Sequence, residues 1–322
     1  MIPQPLRILC IGDGRPGHEK QTLAMVEAFG RMAEVESCWF RVPEGRAFAF
    51  FSRFQEGYTR IFPFQRRGLL RKWGWEAEDF YPHLIMAAGS HTHGALLLFA
   101  RHFGARSLVC MTPDLWVRHH VDLVLSPLHD GRVSGGNVLG TLGPPCRQGL
   151  GGERRKELGL ILVGGLDASS HVWDSDRLLV QIRSLLESGR RAFWEISSSP
   201  RTPKETEAAL KTLVTAFPHA SFFPFSETAP GWVEAAYARS AEAWISADSM
   251  SMVYEALSAG CRVGVLPVNW KRPGNKFEKS LELLHREGWI FYPGEEGTEK
   301  KVLLDEAGRA AREAVQRWWR ER

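Results

Sequence analysis

Apolar residues along this chain gather in short runs, and nearly every run is followed by a polar or glycine-bearing stretch and then by a helical repeat. Residues 6–11, LRILCI, form the first run, with GDGRPGHEKQ directly behind it. From Thr22 onward Leu23, Val26 and Phe29 recur at every third or fourth position, which predicts a helix. Strands are predicted over 35–42, 84–88, 107–111 and 123–126, and a helix over 92–102. The run at 84–88 closes on Gly89-Ser90, and that at 107–111 meets Thr112-Pro113-Asp114. A Gly/Pro-rich stretch over 136–153 breaks the rhythm and reads as a linker. Beyond it strands are predicted over 158–163, 191–197, 220–223, 243–246, 262–268 and 289–292. Helices are predicted over 176–188, 205–217, 233–238, 250–259, 275–288 and 305–320.

Repeated strand, polar loop and helix units predict a parallel sheet covered on both faces. The fold class expected is α/β, with two Rossmann-like domains facing a central cleft, residues 1–150 and 151–322. The terminal helix is expected to pack back on the first domain. Sheets of this kind take ligands at the carboxyl ends of their strands. At 322 residues the chain exceeds the usual size of one core, which agrees with two domains.

Composition narrows the class. The five cysteines are far apart and form no CxxC pair, which fits reduced thiols. The N-terminus lacks a secretion pattern, and the apolar runs fall far short of the roughly 20 residues of a membrane span. A cytoplasmic location is therefore expected, with peripheral attachment to the inner face of the cytoplasmic membrane as an extension. The net charge of +4 is too small to indicate nucleic acid, and no nucleic-acid-binding module accompanies it.

The strand-end loops carry the candidate chemistry. In GDGRPGHEKQ, Gly14 and Gly17 allow close backbone approach, so that amides there can cradle an anion. The spacing does not match a dinucleotide fingerprint. His18 is the side chain of that loop able to act as base or acid near neutral pH; the plain alternative is a tight turn with His18 packing locally. Asp114, at a neighbouring strand end, can orient an acceptor hydroxyl, assist His18 or cap a helix. In the second domain Gly165 and Ser169 follow the strand at 158–163, and Arg201 lies in the loop 196–203, ISSSPRTP. Their amides, hydroxyls and guanidinium suit phosphate oxygens, and hydrophilic turns are the alternative. In ADSMSMVYEALSAGC, Asp248-Ser249 is placed to cap a helix whose core stripe is Val253, Ala256 and Leu257. Glu255 lies off that stripe and can accept hydrogen bonds from vicinal ribose hydroxyls. Ser249 and Ser251 would then face a diphosphate at the helix end, and Asn275 would close the same pocket.

Taken together, GDGRPGHEKQ, Thr112-Pro113-Asp114, SSPRTP and ADSMSMVYEAL resemble the mitochondrial-fission "elongated mitochondria" family, which has many bacterial members. The resemblance spans nearly the whole chain. Lys20 stands where the family pattern usually has asparagine. The second half is also similar, more distantly, to the donor domain of GT-B glycosyltransferases, notably the enzyme that adds N-acetylglucosamine to a lipid-linked cell-wall precursor. That similarity implies a ribose-binding role for Glu255, diphosphate binding by Ser249 and Ser251, and a catalytic base at His18. It implies metal-independent transfer of a sugar from a nucleotide-diphosphate sugar, the donor substrate, to a lipid-linked or envelope acceptor, with no further cofactor. Nucleotide-sugar 2-epimerisation or hydrolysis on the same fold is the alternative, and a non-catalytic membrane-associated adaptor is another; plant relatives are described as adaptors at the outer mitochondrial membrane.

Residues 46–75 add a feature of their own. They hold seven Arg/Lys, nine aromatics and one acidic residue, Glu56. Ala47, Phe50, Phe51, Phe54 and Tyr58 recur at helical spacing, with Arg46, Arg53 and Arg60 elsewhere. Such a segment can lie on an anionic membrane surface, or it can pack its aromatics on the sheet and leave its arginines in water. The histidines of His91-Thr92-His93, His119-His120 and His129 lack a recognised metal-ligand spacing, and no metal site is expected.

Overall fold

Strand β1 (Leu6–Gly12) is buried almost throughout, as expected of a strand covered on both faces. The computed structural model describes residues 1–43, 46–77, 79–131, 135–148, 153–296 and 303–319; in the helix 46–61 the side chains of Arg46, Ala47 and Ala49 also lie outside the description. The chain divides into two units, Met1–Arg147 with Asp305–Arg322, and Gln148–Leu304. The boundary expected between 150 and 151 falls outside the described residues.

In the first unit β1 is followed by α1 (Pro16–Gly30), β2 (Val35–Arg41), α2 (Arg46–Ile61), α3 (Arg66–Lys72), β3 (Leu84–Ala88), α4 (His93–Phe103), β4 (Arg106–Cys110), α5 (Leu115–Arg118), β5 (Leu123–Pro127) and β6 (Val138–Thr141). The strands form one parallel sheet in the order β2-β1-β3-β4-β5-β6. Alternate residues of β1 serve opposite faces. Leu6, Ile8 and Cys10 join Met25 and Phe29 of α1 on one side, while Leu9 and Ile11 join Leu96 and Phe99 of α4 on the other.

Strand β6 corrects the linker expectation. Val138–Thr141 lies inside the Gly/Pro-rich stretch yet pairs in parallel with β5. A short edge strand is stabilised by backbone pairing and by Leu139 resting on the core, so glycine-rich composition does not exclude it.

The second unit holds β7 (Arg155–Leu162), β8 (His171–Val172), α6 (Ser175–Glu187), β9 (Phe193–Ser197), α7 (Lys204–Val214), β10 (Ala220–Phe223), α8 (Trp232–Arg239), β11 (Ser240–Ser246), α9 (Met250–Ser258), β12 (Arg262–Leu266), β13 (Asn269–Trp270), α10 (Lys276–Arg286) and β14 (Ile290–Phe291). Its main sheet is again parallel, in the order β10-β9-β7-β11-β12-β14, and β13 pairs antiparallel with β8. Gly159 and Gly264 interrupt apolar strands because indoles lie over them. A Cβ at either would come within 2.4 Å of Trp194 or Trp244, respectively. The chain then returns to the first unit, where α11 (Glu306–Trp319) lays Ala307, Ala310, Ala311 and Ala314 against the α1 face of the core.

Candidate functional site

In each sheet the strand order reverses beside its first strand, between β1 and β3 and between β7 and β11. Loops leaving the carboxyl ends diverge at such points and open a crevice for ligands. Gly14, Gly17 and His18 follow β1, Gly165 and Ser169 follow β7, and Ser249, Ser251 and Glu255 follow β11, whereas Asp114, Arg201 and Asn275 follow β4, β9 and β13.

In the first unit α1 begins at Pro16, earlier than the apolar repeat from Thr22 predicts. Proline suits a first helical turn, whose amide needs no partner. His18 therefore stands on that first turn. Its Nδ1 is 2.9 Å from Oδ2 of Asp13, whose side chain is 2% exposed against 19% for the imidazole. A Cβ on Gly89, at φ +90°, would come within 2.3 Å of His18 Nδ1, so the turn after β3 backs the ring. The carboxylate bonded to His18 is thus Asp13, a residue not among the sequence-based candidates. Asp13 stands in the GDG turn itself, five residues before the histidine, and that spacing was the available signal.

Asp114 sits at the N-cap position of α5, and its side chain makes no capping bond. It contributes instead to the field around His93, 3% exposed, whose Nδ1 is buried without a hydrogen-bond partner. Burial pushes the His93 pKa down to about 4; the Asp114 charge opposes that shift and His18 adds to it. Just before Asp114, Met111 holds a positive φ of 75°, which is costly for a side-chain-bearing residue. The Thr112 hydroxyl is fixed at 2.9 Å from Ser126 Oγ and donates to Asp130 Oδ2 at 3.0 Å.

The Gly14 amide donates to Glu19 Oε1 at 3.2 Å, and Arg41 pairs with the same carboxylate, so a side chain already fills the anion position. Gly17 lies within α1 with open space where a Cβ would project, so no close approach requires it.

The second unit is organised by Asp248, again a residue with an unexpected role. Its side chain is fully buried. Oδ1 accepts from the Ser246 hydroxyl at 2.7 Å, and Oδ2 accepts from the Gly165 amide at 3.0 Å and from Arg201 Nη2 at 3.1 Å. The Gly164 amide donates to Ser246 Oγ at 2.7 Å. One carboxylate thereby ties together the loops after β7, β9 and β11. Gly165 is required for this, since a Cβ there would come within 2.1 Å of the Arg201 carbonyl.

These contacts revise several assignments. The Gly165 amide points at Asp248, not outward to a phosphate. Arg201 is anchored on Asp248 with its side chain 42% exposed, leaving part of the guanidinium toward solvent. Ser169 gives both its amide and its hydroxyl to Asp167 Oδ1, at 3.0 and 2.6 Å, and these bonds hold the Asp167 carboxyl below the usual carboxylate range. Asn275 caps α10, accepting from Phe277 and Glu278 at 2.9 and 3.1 Å. Its amide side chain therefore has a structural task.

Helix α9 matches expectation more closely. Val253, Ala256 and Leu257 are buried, and Glu255 is half-buried beside that stripe. Ser249 occupies the N-cap without a side-chain capping bond, and Asp248 is turned inward. A helix start whose N-cap side chain makes no capping bond is suited to an anion. Ser251 is exposed at that end, and Glu255 follows it one turn later on the same face. The β8–β13 ribbon, which the sequence did not suggest, fastens the loops after β7 and β12; Lys271 donates from its amide to Ser170 O and from Nζ to Ala168 O. Among the described residues no three His, Cys, Asp or Glu side chains converge as a metal site, and no helix is long and apolar enough to cross a membrane.

Residues 16–318 match the family described as Mitochondrial fission ELM1. No curated protein matches the sequence. Among solved structures, a UDP-GlcNAc 2-epimerase from Neisseria meningitidis bound to UDP-GlcNAc is 12% identical with a TM-score of 0.53, covering 96% of this chain and 98% of its own. The UDP-GlcNAc 2-epimerase from Methanocaldococcus jannaschii gives 12% and 0.52 over the same shares. UGT2 of Phytolacca americana, complexed with UDP-2fluoro-glucose and pterostilbene, gives 10% and 0.50 over 97% of this chain and 90% of its own. The shared feature is the fold: two parallel-sheet α/β units of GT-B-like architecture.

Proposed function

The chain belongs to the mitochondrial fission ELM1 family, and on that premise we propose that it is an enzyme acting on nucleotide-diphosphate sugars. The observation that carries this reading is the β7–β11 switch point, where Asp248 anchors Arg201 beside the start of α9. There the helix amides and Ser251 receive the diphosphate, the outer edge of Arg201 adds positive charge, and Glu255 holds the ribose hydroxyls. Charge gathering on a departing diphosphate is stabilised by donors already fixed in place. In the first unit, His18 oriented by Asp13 moves the proton.

Two reactions share this arrangement. Epimerisation at C2, or hydrolysis, is supported by the likeness to solved UDP-GlcNAc 2-epimerases. Sugar transfer to an acceptor hydroxyl, including a lipid-linked one, is favoured by the His18–Asp13 pair, which suits deprotonation of an alcohol.

Calorimetry with UDP, GDP, ADP and CMP, repeated on Glu255→Ala, tests the site. One nucleotide is expected to bind the parent chain and to bind Glu255→Ala at least tenfold more weakly. No binding of any nucleotide to folded protein would sink the reading. Equal binding by both chains would remove the ribose assignment alone. Incubation of the corresponding nucleotide sugar without acceptor, followed by NMR, separates the reactions. Inversion at C2 or release of free sugar supports the first, and turnover only with an added alcohol supports the second.

A further inference from the structure

Helix α2 lies with the face outward that its sequence would bury. Ser52, Glu56 and Thr59, spaced along one side, are 0%, 1% and 0% exposed, whereas Phe50, Phe51, Phe54 and Tyr58 are 51–60% exposed and Ile61 is 73% exposed. Polar contacts fix this orientation. Ser52 presses on Gly94 of α4, where a Cβ would come within 2.4 Å of its Oγ, so the two helices approach closely. Glu56 pairs with Arg60 at 3.0 Å and with Arg101 of α4. Arg66 donates to the carbonyls of Thr59 and Arg101 at 3.2 and 3.1 Å. Rolling α2 to bury its aromatics would break this ionic seam and strand a buried carboxylate.

The aromatics form two exposed ring clusters in a row along the segment. Phe50 contacts Phe54, and Tyr58 contacts Phe62, with ring centres 4.8 Å apart in each pair; Phe64 follows at 75% exposure. Beside the clusters a groove of about 570 Å³ opens between α2 and α3, with Phe54, Tyr58 and Leu69 in its wall and Lys72 at its edge. Glu56, the one acidic residue of 46–75, is buried and neutralised, whereas Arg53, Arg67, Arg71 and Lys72 are exposed. The surface presented is thus aromatic and basic, with no exposed carboxylate from this segment.

We propose that this face docks on an anionic lipid bilayer. The phenyl rings enter the boundary between headgroups and acyl chains, and the arginines and Lys72 meet the phosphates. Charge complementarity selects this occupant, and a row of exposed ring clusters suits a deformable surface better than the flat patch of a protein interface. The inference is independent of the nucleotide site.

The test is co-sedimentation with vesicles of phosphatidylcholine alone and of phosphatidylcholine with phosphatidylglycerol, at low and high salt. The parent chain is expected to bind the anionic vesicles, to bind the neutral ones at least tenfold more weakly, and to dissociate in high salt. A triple variant, Phe50→Ser with Phe51→Ser and Phe54→Ser, is expected to keep its unfolding temperature, because these rings are exposed, and to lose at least tenfold in partitioning. Lys72→Glu serves as a second variant, expected to weaken binding several-fold. Failure of the parent chain to bind anionic vesicles, or equal binding by both variants, would overturn the proposal. So would light scattering that shows a dimer of the parent chain which the triple variant abolishes, since the rings would then belong to a second copy.

Discussion

Asp13 and His18 divide a task between a buried carboxylate and a partly open ring. The hydrogen bond to Asp13 fixes which imidazole nitrogen faces outward. His18→Ala is expected to lower turnover by about 10²–10⁴-fold, and Asp13→Asn by less, with nucleotide affinity unchanged in calorimetry. A parallel loss of affinity would place the pair in binding. His93 gives a separate expectation in pH. Its pKa of about 4 in the folded chain lies below the ordinary value of 6.5, so the unfolded chain binds more protons between those values. Stability contributed by the neutral buried ring is full above 6.5 and declines as pH falls toward 4, by on the order of 3 kcal/mol for this group alone. His93→Phe is expected to flatten that segment of the pH profile, measured by urea unfolding. An unchanged slope would contradict the burial argument.

Among the elements, the three loops joined by Asp248 form a unit in which no part tolerates loss alone. Gly165→Ala must push the Arg201 backbone away and is expected to cost about 1–3 kcal/mol by overpacking. Arg201→Ala leaves the buried carboxylate one donor short, at a cost of about 1–3 kcal/mol. Both variants are expected to weaken nucleotide binding by disturbing the start of α9, which calorimetry checks; normal affinity in both would dissociate the latch from the site. These elements also mark how far the sequence could be read. Apolar runs such as 84–88 and the repeat Val253, Ala256, Leu257 announced strands and helix faces because burial imposes a period. Asp248 and Asn275 were both seen as polar residues at the ends of elements, but which neighbour each would bond depends on contacts far away in the chain. Asp248 meets Gly165 across 83 positions, and no local pattern encodes that. Helix α2 was legible as amphipathic, yet the face it buries was decided by Gly94 and Arg101 on another helix.

For the whole molecule, the consequential fact is that the first unit is discontinuous and closes only when residues 305–322 return to it. Helix α11 brings small side chains because α1 lies close, and Ala310, Ala311 and Ala314 are all fully buried beside Met25 and Phe29. Additional ties come from Arg31 to Asp305 at 3.2 Å and from Arg309 to the Gly140 carbonyl at 2.6 Å. Without α11 the part of that face beside α1 would lose its cover. The second unit, by contrast, draws its main sheet and the Asp248 latch from a single continuous stretch. Removal of residues 305–322 is therefore expected to abolish amide protection in β1 and α1 while leaving β7 and β11 protected, as read by hydrogen exchange with mass spectrometry. A nucleotide that binds the full chain should still slow exchange at the start of α9 in the truncated chain. Loss of protection in both units together would mean that they fold as one cooperative body. Retained protection in β1 would mean that α11 covers the core without being needed to hold it.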